Sequence, residues 1–286
     1  MKISDILKTK KLVYSFEFFP PKTPEGEDSL YKTLTELKKL EPDYVSVTYG
    51  AMGNTRGKTF EIVEKIQKEH GITGMAHLTC VASSQDQIKD ILMELKKRGI
   101  ENIMALRGDA AVGESEFKRP LDGFASALEL VTFIKKTDPS FCLGNACYPE
   151  GHIQFKNESA EIDYLKKKVD AGANFLVTQM FFDNAYYFKF LEKIRKAGID
   201  LPVIPGIMPI TNFKQIKRFT EMCAVEIPKK IVLKLEQANE CDTEDIGIEH
   251  AISQCRDLIK NGVPGIHFYT LNKSKATQDI LIALKM

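Results

Sequence analysis

The sequence predicts an α/β fold of the (β/α)8 barrel class, and three observations point there. Short β-rich runs alternate with longer amphipathic stretches along the 286 residues, and such alternation implies parallel strands joined by right-handed crossovers. There are eight such runs, and eight units over about 250 residues is the size of a closed barrel. No Gly-x-Gly-x-x-Gly follows any of them; the nearest cluster, Gly50-Ala51-Met52-Gly53, has the wrong spacing for an open dinucleotide-binding sheet.

Each element can be justified in chain order. The first run, 13–19, places Ser15, Glu17 and Phe19 on one face, because strand side chains alternate. Pro20-Pro21 ends it. Leu30, Leu34, Leu37 and Leu40 then form a helical stripe. Runs 44–48 and 74–80 follow. Ser83-Ser84 stands where a cap belongs before a helix at 85–97, whose stripe is Ile88, Ile91, Leu92 and Leu95. Runs 102–108, 142–148, 175–180 and 202–208 come next, and Thr211-Asn212 precedes a helix at 213–222. Gly71, Gly99, Gly172 and Gly198 fall just past helices, the usual place for a C-terminal glycine. The stretch 223–262 holds extra helix before the last run, 265–271. No Pro/Gly/Ser-rich linker isolates it, so it reads as an insertion within a single domain, 1–286.

Lys and Arg number 40 against 39 Asp and Glu, a formal net charge of +1. Nucleic-acid and anionic-membrane binding call for a basic excess that is missing here, so small molecules are the expected partners. No apolar run approaches the ~18–20 residues of a membrane span. The N-terminus lacks the apolar stretch of a signal peptide. The six cysteines form no Cys-x-x-Cys pair, as expected of free thiols in a reducing cytoplasm.

Chemistry in a barrel sits at the C-terminal ends of the strands, while the interior is normally apolar. Polar residues there are therefore the candidates. Glu17 is a carboxylate among aromatics near a strand end. Desolvation would raise its pKa and let it hold a proton, as a general acid must; the competing reading is a buried glutamate paired with an arginine. His77-x-x-Cys80 has no second pair to complete a zinc site, so no metal is expected. Arg107-Gly108-Asp109 follows an apolar strand and supplies a phosphate-binding side chain, a close backbone approach and an acceptor. A plain surface turn is the alternative. Gln179 offers donor and acceptor within a strand, for a heterocycle or for a neighbouring backbone group. Lys166-Lys167-Lys168 lies on a helix, where a basic run is usually solvated.

Taken together, the motifs resemble the methylenetetrahydrofolate reductase family. They run Ser15-Phe16-Glu17-Phe18-Phe19-Pro20-Pro21, Val45-Ser46-Val47-Thr48-Tyr49-Gly50, His77-Leu78-Thr79-Cys80 and Ala105-Leu106-Arg107-Gly108-Asp109. Tyr148-Pro149-Glu150, Lys168-Val169-Asp170-Ala171-Gly172-Ala173, Thr178-Gln179, Pro205-Gly206-Ile207-Met208-Pro209, Asn212-Phe213-Lys214 and His267-Phe268-Tyr269-Thr270-Leu271-Asn272 continue the series in family order. The length is similar to the short bacterial form, the catalytic barrel without a regulatory domain.

The resemblance implies noncovalent FAD and a ping-pong hydride relay from NADH or NADPH to 5,10-methylenetetrahydrofolate. The product, 5-methyltetrahydrofolate, feeds methionine synthesis. A cytoplasmic homo-oligomer is implied as well. By motif position, Glu17 is implied to protonate folate N10, and Asp109 to tune the flavin and orient the pterin. Thr48, Tyr49, Ala51, His77, Leu106, Arg107, Gly108, Asp109, Ala125, Tyr148, His152, Glu161, Lys167 and Lys168 are similar to flavin-pocket positions. Glu17, Thr48, Asp109, Gln179, Gln215, Phe219 and Lys273 are similar to substrate positions, with Phe219 the stacking aromatic. Three residues depart from the bacterial pattern: Glu161 replaces an aspartate, and Lys167 and Lys273 replace arginines, keeping charge but losing the bidentate fork. A flavin-free folate methyltransferase or a noncatalytic binding subunit is the alternative. Nothing in the sequence selects between the two nicotinamides.

Overall fold

The computed structural model describes residues 1–49, 56–109, 117–153, 155 and 157–285. Its strands are β1 (Val13–Phe18), β2 (Tyr44–Val47), β3 (Thr73–Thr79), β4 (Asn102–Leu106), β5 (Cys142–Cys147), β6 (Phe175–Thr178), β7 (Val203–Ile204), β8 (Gly206–Ile207) and β9 (Gly265–Tyr269). All pair in parallel, in the order β7-β6-β5-β4-β3-β2-β1-β9-β8. The expected strand at 202–208 is broken at Pro205 into β7 and β8. Its first half pairs with β6 and its second with β9, which brings the barrel almost to closure. The Pro205 carbonyl still accepts the His267 N–H at 2.9 Å; the ring nitrogen has no hydrogen to donate.

Most of the expected strands run one or two residues too far at their C-terminal ends. Thr48, Arg107, Gly108, Tyr148 and Gln179 lie just past the ladder rather than in it. The rim begins where the sequence turns polar.

The helices are α1 (Ile3–Thr9), α2 (Pro24–Lys38), α3 (Arg56–His70), α4 (Gln85–Lys97), α5 (Ala127–Thr137), α6 (Glu158–Asp170), α7 (Asn184–Lys196), α8 (Phe213–Cys223), α9 (Lys229–Gln237), α10 (Glu240–Lys260) and α11 (Lys275–Lys285). The expected caps form: Ser84 and Gln87 make a reciprocal box, and Asn212 Oδ1 accepts the Gln215 N–H at 2.9 Å. The extra segment before the last strand is α9 and α10.

Helix α1 has no counterpart in the sequence reading. It plugs the barrel floor, where Ile3 and Ile6 pack with Val13, Tyr44, Met75, Met104 and Phe175. The main core lies between strands and outer helices. A third, smaller cluster under α8 and α9 joins Met180, Phe182, Ile210, Ile216, Val225, Ile231 and Leu235. Among the described residues, no helix is long and apolar enough to cross a membrane.

Candidate active site

Strand register brings the innermost polar group together. Ser15 is level with His267 across β1 and β9, and Glu17 is level with Ser46 across β1 and β2. Alternation turns all four inward. Glu17 Oε2 lies 3.3 Å from His77 Nε2, 3.5 Å from His267 Nε2 and 3.5 Å from Ser46 Oγ. His267 Nδ1 meets Ser15 Oγ at 2.8 Å, and its ring stacks on Tyr44.

These contacts correct the expected direction of the Glu17 pKa. Burial does push the carboxyl up, but two imidazoles flank it and outweigh burial, holding it at about 2. The histidine pair thus favours the ionised form of the Glu17 carboxyl. Sequence reasoning weighed an ion pair but sought no histidine on β9. The signal was available: His267 stands two residues before Tyr269 on the inward face of the last strand.

Above this group opens a cavity of 1390 Å³, lined by residues from almost every strand end. That exceeds the usual range of about 300–1,000 Å³ for a single small ligand. Glu17, Thr48, Tyr49 and His77 line one side. The Thr48 hydroxyl is buried without a hydrogen-bond partner among the described residues. Leu106, Arg107, Gly108 and Asp109 form the wall after β4. Gly108 sits at φ +86°, and a Cβ there would fall 2.5 Å from Val81 Cγ2.

The outer lobe, between α5 and α6, contains Ala125, Tyr148, His152, Glu161 and Lys168. The Tyr148 and His152 rings meet edge-on at 4.4 Å, and Glu161 Oε2 accepts the His152 N–H at 3.1 Å. Lys168, on α6, is buried. Its ammonium donates to the Ala146 carbonyl at 2.8 Å and lies 5.5 Å above the Tyr164 ring. Burial pushes its pKa down to about 8. The expected basic run therefore divides: Lys168 faces the cavity, while Lys167 is exposed and outside the lining.

Gln179 lines the cavity from the end of β6. Its Oε1 accepts the Met180 N–H at 3.0 Å and its Nε2 reaches Cys223 Sγ at 3.5 Å. Gln215, Phe219 and Lys273 do not line the cavity. Gln215 and Lys273 are exposed, and Phe219 packs on the third apolar cluster. Ala51 lies outside the described residues.

A family profile described as methylenetetrahydrofolate reductase matches residues 2–285. The 5,10-methylenetetrahydrofolate reductase of Escherichia coli (strain K12) is 39% identical over 93% of this chain and 88% of its own length. A protein of Oryza sativa subsp. japonica, named probable methylenetetrahydrofolate reductase (NADH), is 38% identical over 99% of this chain. The chain spans about half the length of such plant relatives, 50% in that case. Among solved structures, a Clostridium thermocellum protein that binds two copies of 5-methyl-5,6,7,8-tetrahydrofolic acid superposes with a TM-score of 0.66. It covers 98% of this chain and 96% of its own at 16% identity, a likeness of fold.

Proposed function

This chain belongs to the methylenetetrahydrofolate reductase family, and on that premise we propose that it reduces 5,10-methylenetetrahydrofolate to 5-methyltetrahydrofolate with noncovalent FAD and NADH. The observation that carries the proposal is the single cavity joining a buried carboxylate–histidine group to a buried lysine and an arginine. NADH is chosen over NADPH because the plant relatives are named for it.

The residues present fit a flavin dinucleotide. Lys168 is a buried cation with no carboxylate on its ammonium among the described residues, suited to a pyrophosphate. Gly108 admits close backbone approach, and the unpartnered Thr48 hydroxyl offers a hydrogen bond. FAD, when bound, would supply a two-electron carrier between nicotinamide and folate.

The chain's own share is binding and proton placement. Arg107, Ala125, Tyr148, His152, Glu161 and Lys168 hold the dinucleotide, and Asp109 and Gln179 orient the pterin. By motif position Phe219, Gln215 and Lys273 belong with the substrate, although they lie outside the cavity lining, on α8 and in the turn after β9. Glu17 delivers a proton to folate N10. Because Glu17 is ionised at rest, that proton reaches it through His77 or His267, both within 3.5 Å.

Colour tests the proposal. The purified protein should be yellow with releasable FAD, bleach anaerobically with NADH, and recover its colour when methylenetetrahydrofolate is added. A colourless protein that takes up no FAD overturns it.

A further inference from the structure

Glu150 lies two residues past Tyr148 at the end of β5 and lines the cavity. Its Oε2 accepts the backbone N–H of Glu226 at 2.8 Å, across a separation of 76 residues. Its Oε1 is buried with no hydrogen-bond partner among the described residues. Glu226 belongs to the turn at 224–228 between α8 and α9. Ala224, which caps α8 in the left-handed region at φ 52° and ψ 48°, also lines the cavity. That conformation is unfavourable for a residue with a Cβ and needs support from its surroundings. The preceding residue, Cys223, contacts the Gln179 amide at 3.5 Å.

The C-terminal end of α8 is therefore tied to the barrel by two polar side chains at adjacent strand ends, Glu150 after β5 and Gln179 after β6. The buried face of α8, Ile216 and Thr220, rests on the third apolar cluster. Apolar contact is non-directional and sets depth better than orientation. A hydrogen bond sets direction. Of the two ties, that of Gln179 is a long contact to a thiol at 3.5 Å, whereas that of Glu150 is a short hydrogen bond to backbone at 2.8 Å.

We propose, on the reductase reading above, that Glu150 is a positioning residue: its carboxyl group docks the 224–228 turn against the end of β5 and so holds the ligand-facing end of α8. The charged groups facing it are Glu226 from the turn and Asp183 from the start of α7, with the Tyr186 hydroxyl on Glu226 at 3.3 Å. Burial pushes the Glu150 carboxyl up to about 7; the Glu226 N–H opposes this, and the two carboxylates add to it. The docked pKa thus exceeds the ordinary 4.5. Protonation favours docking, an advantage complete below about 4.5 and lost as pH rises through about 7. Glutamine, neutral at every pH and still an acceptor, should keep the turn docked; alanine should release it.

Cys223 reports docking without any ligand, because its thiol is half-buried beside the turn. Thiol labelling mapped by peptide mass, run beside steady-state kinetics, tests the proposal. Glu150→Ala is expected to raise Cys223 labelling and the KM for methylenetetrahydrofolate about tenfold each, the scale of one lost hydrogen bond. FAD content, kcat and the melting temperature should stay near wild type. Wild type should show a rise in KM between pH 6 and 8; Glu150→Gln should restore both readouts and abolish that rise.

Wild-type labelling and KM in Glu150→Ala overturn the proposal. Parallel loss of FAD and thermal stability that Gln fails to restore also does so, by marking a general structural role. If the alanine variant does not fold, the pH profile decides, and a slope in Glu150→Gln equal to wild type overturns it. Protein without FAD or activity that still shows the labelling difference defeats the reductase reading and leaves the docking role standing.

Discussion

Glu17 and Lys168 are both buried beneath one cavity, yet their surroundings drive them to opposite ends of the charge scale. Glu17 has two imidazoles within 3.5 Å and is held ionised, at about 2. Lys168 has a carbonyl and an aromatic face, with Cys147 and Glu161 as weaker influences, and burial drives it toward neutrality, at about 8. Depth is the same; partners differ. A buried group with its counter-charges in place is finished, whereas one that lacks them is poised for a ligand to complete it. In the proposed function the inner end of the cavity serves as the proton site and the outer lobe as the anion site.

The largest expected effect attacks the inner end. Glu17→Gln should slow oxidation of reduced enzyme by methylenetetrahydrofolate about a thousandfold, within the usual reach of a general acid. Reduction by NADH should change little. Stopped-flow absorbance of the two half-reactions checks this, and equal losses in both would remove Glu17 from the role of N10 acid.

Lys168→Met comes next. It should weaken FAD binding roughly ten- to a hundredfold, the scale of one charge-assisted hydrogen bond to phosphate. Titration of flavin-free protein by fluorescence quenching measures it. The same variant should not destabilise the flavin-free protein, because it removes a desolvated charge. If FAD affinity is unchanged, the incomplete lobe is not the phosphate site.

Stability against pH sharpens the contrast. The Glu17 pKa is depressed from 4.5 to about 2, so its contribution is present above about 4.5 and vanishes as pH falls toward 2. For Lys168 the pKa is depressed from 10.5 to about 8, so the penalty for its buried charge is full below 8 and relieved as pH rises toward 10.5. Urea midpoints of flavin-free protein should show the gap between wild type and Glu17→Gln closing in acid. The difference between wild type and Lys168→Met should shift in favour of wild type in alkali. Parallel curves would mean that the two sites are electrostatically alike.

The smallest effect is expected at Lys167. It neighbours Lys168 in sequence but points to solvent, and Lys167→Ala should alter FAD affinity by less than about threefold, as for an exposed charge. A loss matching that of Lys168→Met would show the phosphate site to extend beyond the cavity lining.

Much of this is legible in the sequence. Alternating runs and caps located every strand and most helices, and polar residues at strand ends marked the cavity wall from Thr48 to Gln179. Helix α1 was not legible, because seven residues carry too short a period to stand out. The break at Pro205 was visible as a proline but not as a split strand, since the consequence depends on which neighbours pair on either side. Gln215, Phe219 and Lys273 were matched by motif, yet they lie outside the cavity lining, because α8 and the turn after β9 set their position.

Glu17 shows where the division falls. By itself the sequence determined the barrel, the family and the presence of a carboxylate at the inward end of the first strand, since periodicity and residue order are local properties of the chain. Only the tertiary structure decided its charge. That depends on His77 and His267, 60 and 250 residues away, brought to its oxygen by parallel register around the barrel. Burial, readable from the neighbouring aromatics, argued for a protonated acid; the partners, which only folding assembles, reversed the sign.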